Sequence, residues 1–391
     1  MDPDFSRLDA SLAERDVDGY LIDADSENAD QYYLSGFDAP DPFVTLYDGE
    51  VHLLFGRSLE YGRAKREARA ATVERNVDFD YREKVAEHGA DEAPFHVLAE
   101  FLRSYGVESV AVPPRFPVSV ADALRDLGIT VEPDRDSVVT DVRARKTEAE
   151  VELIRDAQAA NEKAMAAAER LFREAGVDDD GKLTYDGDVL TSERVKEEIE
   201  VTLLRDGCAL DQTIVAGGSD AADPHDRGSG PFRADEPIIV DIFPRNKATK
   251  YNGDMTRTFL VGEASETVRE WYDLTRRAYE AALDAVEPGA TGADVHDAAC
   301  EVYEDAGEQT LRSDESAETG FIHSTGHGVG LDVHEQPSVG PNGGELEPGH
   351  VITIEPGLYD PDVGGVRLED LVVVTEDGYE NLTDYPMELV V

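Results

Sequence analysis

The chain has 391 residues, more than one compact core usually holds, so two domains are expected. Its 86 acidic residues against 36 basic ones leave a net charge of −50, which repels nucleic acid and anionic membranes. No stretch approaches the run of about 20 apolar residues that a membrane helix needs, and the acidic, amphipathic start lacks the basic and apolar regions of a signal peptide, so a soluble, cytoplasmic protein is expected.

Short β-favouring runs at 18–24, 43–56 and 109–114 are interleaved with helical patterns at 58–71, 91–105 and 118–127. This predicts an α/β first domain over residues 1–140. The middle run breaks at Asp48-Gly49, a hairpin signal. Residues 135–146 read as a crossing segment into a second domain, 141–391. That domain opens with a long helical pattern, 147–176, followed by a polar, turn-rich stretch at 177–188 that reads as a surface insertion. A helix at about 192–206 ends at Asp206-Gly207. Strands follow at 237–243 and 256–262, with a turn at Asn252-Gly253 between them. Helices at 265–286 and about 292–306 precede strands at 351–359, 365–375 and 385–391. The whole reads as a mixed α/β (α+β) chain. The two cysteines, Cys208 and Cys300, have no metal-type spacing and read as buried free thiols.

The chemistry is concentrated in the second domain. Asp241 follows Ile238-Ile239-Val240, Glu355 sits between Ile354 and Pro356, and Glu369 precedes Asp370 and Leu371-Val372-Val373. Asp254 lies between a turn and a strand. A carboxylate in an apolar strand is costly unless positive charge meets it. One such residue could pair with Arg257 or Arg367, but four exceed that supply. Three of the nine histidines, His323, His327 and His334, crowd into HSTGHGVGLDVHE. A pair of divalent cations would satisfy these groups together. Oxygen ligands with one or two imidazoles suit Mn²⁺, Co²⁺, Fe²⁺ or Zn²⁺. The acidic turn at 177–188 lacks the closing glutamate of a calcium loop. Two such ions about 3.5–4 Å apart can share a hydroxide that attacks amides or esters. No G-x-S-x-G elbow or phosphate-cradling loop offers another route.

Four blocks in order, VDIFPRNKATKYNGDMTRT, HSTGHGVGLDVHEQP, TIEPGLY and GVRLEDLVVVTEDG, resemble the pita-bread metallopeptidases, most of all Xaa-Pro aminopeptidases and Xaa-Pro dipeptidases (prolidases). The first domain and RARKTEAEVELIRDA are similar to that group's creatinase-like N-terminal domain and hinge helix. The resemblance implies a pita-bread catalytic domain and cleavage of the peptide bond between an N-terminal residue and proline. It implies two divalent ions, Mn²⁺ or Co²⁺ first and Zn²⁺ or Fe²⁺ next, held by Asp241, Asp254, His327, Glu355 and Glu369. Glu355 would also shuttle a proton. His225, His323 and His334 would line the substrate side, and Arg367 would orient the ligand carboxylates. His52, His88, His96, His296 and His350 read as structural or solvent-facing.

A homodimer acting on proline-containing peptides is the expected assembly. A metal-dependent lyase, an amidinohydrolase and a non-catalytic peptide-binding relative share the scaffold. The intact ligand set argues against the last two. Three features depart from the family pattern: Phe243 where glycine is usual, a spacing of thirteen between Asp241 and Asp254, and the stretch at 177–188. The spread-out acidity with only eight lysines resembles proteins of salt-accumulating cytoplasms.

Overall fold

A computed structural model describes residues 3–210 and 212–391. The chain divides into two compact units, one through Arg143 and one from Ala144 to Val391.

The first unit is built on a mixed six-stranded sheet. Its order is Thr72–Arg75, Val51–Phe55, Phe43–Tyr47, Gly19–Ala24, Ser109–Val112 and Thr130–Pro133. The hairpin at Asp48-Gly49 forms as the sequence suggests, with Tyr47 opposite Val51. The Ala93–Ser104 and Val118–Asp126 helices bury Val97, Phe101, Leu102 and Leu124 against the sheet. The crossing segment holds a helical stretch, Val138–Ala144.

The second unit opens with the Glu148–Arg173 helix. Thr147 starts it with a capping box: its hydroxyl accepts from the Glu150 amide, and the Glu150 carboxylate accepts from the Thr147 amide at 2.8 Å. The inner face of this helix is alanine-rich, and two of its buried positions are amides, Gln158 and Asn161. The Ser192–Arg205 helix packs beside it. Between them the stretch read as a surface insertion forms a small antiparallel meander, Gly176–Val177, Leu183–Tyr185 and Asp188–Val189. Leu183 and Leu190 anchor it, both fully buried in the core. Two apolar side chains in an otherwise polar run were enough to seat it.

Three antiparallel strands, Ile214–Gly217, Ile238–Ile242 and Met255–Phe259, form one sheet. A second runs Glu335–Val339, Gly326–Gly328, Val351–Ile354, Asp370–Thr375 and Gly378–Asn381. The runs expected as single strands, 351–359 and 365–375, are each interrupted. Val351–Ile354 pairs with Asp370–Thr375 in the larger sheet, whereas Gly357–Asp360 pairs with Gly364–Arg367 in a separate ribbon. Glu355-Pro356 and Leu368-Glu369 occupy the two breaks, opposite one another. Pro356 has no amide proton for a ladder, so the switch between sheets falls there. The expected last strand, 385–391, does not form; the segment makes a single bridge, from Val390 to Leu260. The Glu266–Asp284 and Gly292–Asp305 helices, capped by Ser265 and Thr291, cover the outer face.

Candidate metal centre

The two breaks and the end of the three-stranded sheet meet at one place. Asp241 leaves the Ile238–Ile242 strand opposite Thr256. Asp254 precedes the neighbouring strand, and the long helix holds it there. The Gln158 side chain accepts from the Asp254 amide and donates to its carbonyl, both at 2.9 Å. Asn161 donates to the Ile242 carbonyl at 2.5 Å. The two buried amides of the helix thus secure the backbone beside both aspartates.

His327 is the middle residue of the Gly326–Gly328 strand. A Cβ at Gly326 would overlap the Thr353 carbonyl oxygen, and one at Gly328 the Gln336 carbonyl. The glycines therefore let three backbones close around the imidazole. The His327 amide donates to Thr353 Oγ1 at 3.0 Å.

Asp254, His327 and Glu369 each bring a ligand atom, and these atoms all lie within 4.8 Å of one another. Glu355 joins them, its Oε1 being 3.3 Å from His327 Nε2. His327 Nδ1 faces the Gly328 carbonyl at 3.2 Å, so that nitrogen carries the proton and Nε2 turns a lone pair towards carboxylate oxygens. Burial, with His334 nearby, pushes the His327 imidazole down to about 3, so protonation is not the remedy. Burial first, and repulsion among the neighbouring carboxylates second, hold the Asp254 and Glu369 carboxyls well above their ordinary range. Burial likewise pushes Glu355 up to about 8. Asp241 Oδ1 is buried without a hydrogen-bond partner among the described residues. Lone pairs of Asp254, His327, Glu355 and Glu369 crowd together with no ion pair to a lysine or arginine among the described residues, and divalent cations fit that donor set.

Arg367 faces the site from behind. Its Nη2 donates to Asp241 Oδ2 at 2.6 Å and its Nη1 to the Tyr359 hydroxyl at 2.9 Å. That hydroxyl meets His323 Nε2 at 3.0 Å, while His323 Nδ1 faces the Ser324 carbonyl at 2.7 Å. A polar chain thus runs from Asp241 through Arg367 and Tyr359 to His323. His323 lines the cavity with both ring nitrogens engaged. The His334 ring stands edge-on to His327, centroids 4.2 Å apart. His225 also lines the cavity, exposed on its loop. The other candidate partner, Arg257, serves differently: it pairs with Asp370 at 2.7 Å and donates to the carbonyls of Thr256 and Glu369.

All nine singled-out residues, Asp241, Asp254, His327, Glu355, Glu369, His225, His323, His334 and Arg367, line one cavity of about 900 Å³. Two contributors escaped sequence reasoning. Tyr359 sits in a run that reads as plain strand, and Gln158 on a face that reads as plain helix. Nothing in either run marks them in the sequence; their burial at the site shows only in the fold.

Lys146 and Glu335 form a fully buried ion pair at 2.6 Å. It ties the start of the second unit to the residue after His334. His52 and His350 are buried. So is His296, whose Nδ1 meets Thr325 Oγ1 at 2.9 Å. His88 and His96 stack on each other. Both thiols, Cys208 and Cys300, are buried and free.

The pattern of metallopeptidase family M24 matches residues 152–376, and that of the creatinase/prolidase N-terminal domain matches residues 5–132. The chain is 30% identical to an Xaa-Pro dipeptidase of Pyrococcus horikoshii over 385 residues, covering 97% of this chain and 96% of that one. The prolidase crystal structure from the same organism superposes with a TM-score of 0.78 at 27% identity, covering 98% of both chains. The X-Pro aminopeptidase of Thermotoga maritima superposes equally well, with a TM-score of 0.78 at 26% identity, covering 97% of this chain and 99% of that one. A creatinase-type first unit and a pita-bread second unit, with carboxylates and an imidazole gathered in its cavity, place this chain in metallopeptidase family M24.

Proposed function

We propose that this protein hydrolyses the peptide bond between an N-terminal residue and proline, using two divalent metal ions held by Asp241, Asp254, His327, Glu355 and Glu369. One observation carries the reading: Asp254, Glu355 and Glu369 gather round the lone pair of a neutral imidazole, and the one buried arginine there, Arg367, forms its ion pair with Asp241 and with none of these three. Mn²⁺ or Co²⁺ suits the oxygen-rich set, with Zn²⁺ or Fe²⁺ next. When bound, such a pair supplies an activated water near neutral pH and polarises the scissile carbonyl.

The protein's own groups do the rest. Glu355 borders both the ion site and the open cavity, so it is placed to take a proton and hand it to the leaving amine. Arg367 fixes Asp241 from behind. His334 and His225, both lining the cavity, hold the peptide. His323 acts through Tyr359, positioning Arg367. An amide to proline has no N–H, so a site that relies on ions and cavity shape loses nothing there. A cytoplasmic homodimer from a salt-rich cell completes the reading.

The test is hydrolysis of Ala-Pro and Ala-Pro-Ala by the full chain in molar salt. Cleavage that a chelator abolishes and Mn²⁺ or Co²⁺ restores is expected. Absence of cleavage of either peptide with every one of these metals would overturn the proposal.

A further inference from the structure

His334 lines the cavity as an exposed side chain. Its ring meets His327 edge-on, and neither of its nitrogens has a hydrogen-bond partner among the described residues. An imidazole without such ties grips a peptide well only where its backbone is fixed. The backbone on both sides of His334 is fixed, from outside the cavity. On the near side, the amide and the side-chain amide of Asn252 both donate to the Gly330 carbonyl, at 2.9 and 2.8 Å. On the far side stands Glu335, the next residue in the chain, whose side chain is 1% exposed.

The Glu335 carboxylate folds back under the 330–335 turn. A Cβ on Gly330 would come within 2.5 Å of its Oε1, and its Oε2 accepts from the Asp332 amide at 3.4 Å. Lys146 Nζ holds that carboxylate at 2.6 Å and also donates to the Ala144 carbonyl at 2.9 Å. The lysine has its own anchor. Its amide donates to the Gly349 carbonyl at 2.8 Å, and Gly349, at φ +92, leaves no room for a Cβ against the Lys146 carbonyl. Neither Lys146 nor Glu335 is among the described residues lining the cavity. Taking both charges out of water costs about as much as their attraction returns, and an apolar pair of similar size is commonly as stable. What the ion pair adds is direction: an ammonium held by two acceptors leaves the carboxylate one position, and the turn with it.

We propose that Lys146 and Glu335 are positioning residues for the reaction: their buried pair fixes the backbone beneath His334 and so aims its imidazole at the peptide. The inference rests on the Xaa-Pro reading and on the part that His334 has in it. It gives a role in substrate binding to a lysine that touches neither the substrate nor the ion site.

The experiment measures kcat and KM for Ala-Pro with the Mn²⁺-loaded full chain, in a double-mutant cycle of Lys146→Met and His334→Ala. Loss of one hydrogen bond to the peptide predicts a KM raised about threefold to tenfold in each single variant, with kcat and bound metal per chain retained. Because Lys146 acts through His334, the combined variant is expected to be no worse than His334→Ala alone. Lys146→Met strands the Glu335 charge, so Lys146→Met/Glu335→Leu, which removes both charges, provides the comparison at unchanged stability. It is expected to keep the unfolding midpoint and to show the same raised KM. Multiplying losses in the cycle would overturn the inference, as would a normal KM in the charge-free variant. A charge-free variant that fails to fold overturns it too, by making the pair a requirement of the fold. So does an unchanged KM in His334→Ala, which leaves nothing to aim. In each of these outcomes the unaltered chain still cleaves before proline, so the inference can fail while the Xaa-Pro reading stands. If the unaltered chain does not cleave Ala-Pro, both fall.

Discussion

Arg257 shows how a single side chain supports the site from outside it. All five of its N–H groups are engaged. Nε donates to the Pro386 carbonyl, Nη1 to those of Thr256 and Glu369, and Nη2 to Asp370 and the Tyr385 carbonyl. The side chain is 1% exposed and its partner Asp370 is 6% exposed. Removing one member of a buried pair strands the other charge, at about 3–5 kcal/mol. Arg257→Met is therefore expected to lower the unfolding free energy by about that much, measured by denaturant titration of the metal-free chain. A loss below about 1 kcal/mol, the scale of an exposed pair, would contradict the role. The five proposed ligands were legible as residues because each interrupts an apolar pattern or sits among glycines. Tyr359 and Gln158 were not, since tyrosine and glutamine fit ordinary strand and helix surfaces and only the fold reveals what they face.

At the scale of elements, the long helix was legible because apolar spacing and a capping box agree over its whole length. The Gly326–Gly328 strand that carries His327 and its neighbour Glu335–Val339 were not, because GHG and EQPSV carry no β signal. Their pairing rests on close backbone approach, which side-chain patterns do not record. The interruptions at Glu355 and Glu369 were hidden by continuous apolar runs whose two halves belong to different sheets. The last segment, 385–391, is apolar enough for a strand, yet the Tyr385 and Pro386 carbonyls go to Arg257 instead of a ladder. The meander at 176–189 was misjudged from its polar composition. Because Leu183 is fully buried in the core, Leu183→Ala is expected to cost about 2–5 kcal/mol, read from the denaturation midpoint. A cost near zero would restore the reading of a dispensable surface insertion.

Across the whole molecule the excess of acidic residues dominates. Self-repulsion opposes compaction, and salt shortens its range from about 10 Å at 0.1 M to about 3 Å at 1 M. The unfolding temperature is therefore expected to rise between 0.1 and 2 M KCl, followed by circular dichroism. A flat or falling trend would remove the argument for a salt-rich cytoplasm. The function stands on a narrower claim, that five side chains from separate segments of the second unit hold two divalent ions. Anomalous diffraction from crystals grown with Mn²⁺ tests it most directly. The account predicts two peaks enclosed by Asp241, Asp254, His327, Glu355 and Glu369; no peak there, or peaks only elsewhere on the acidic surface, would contradict it.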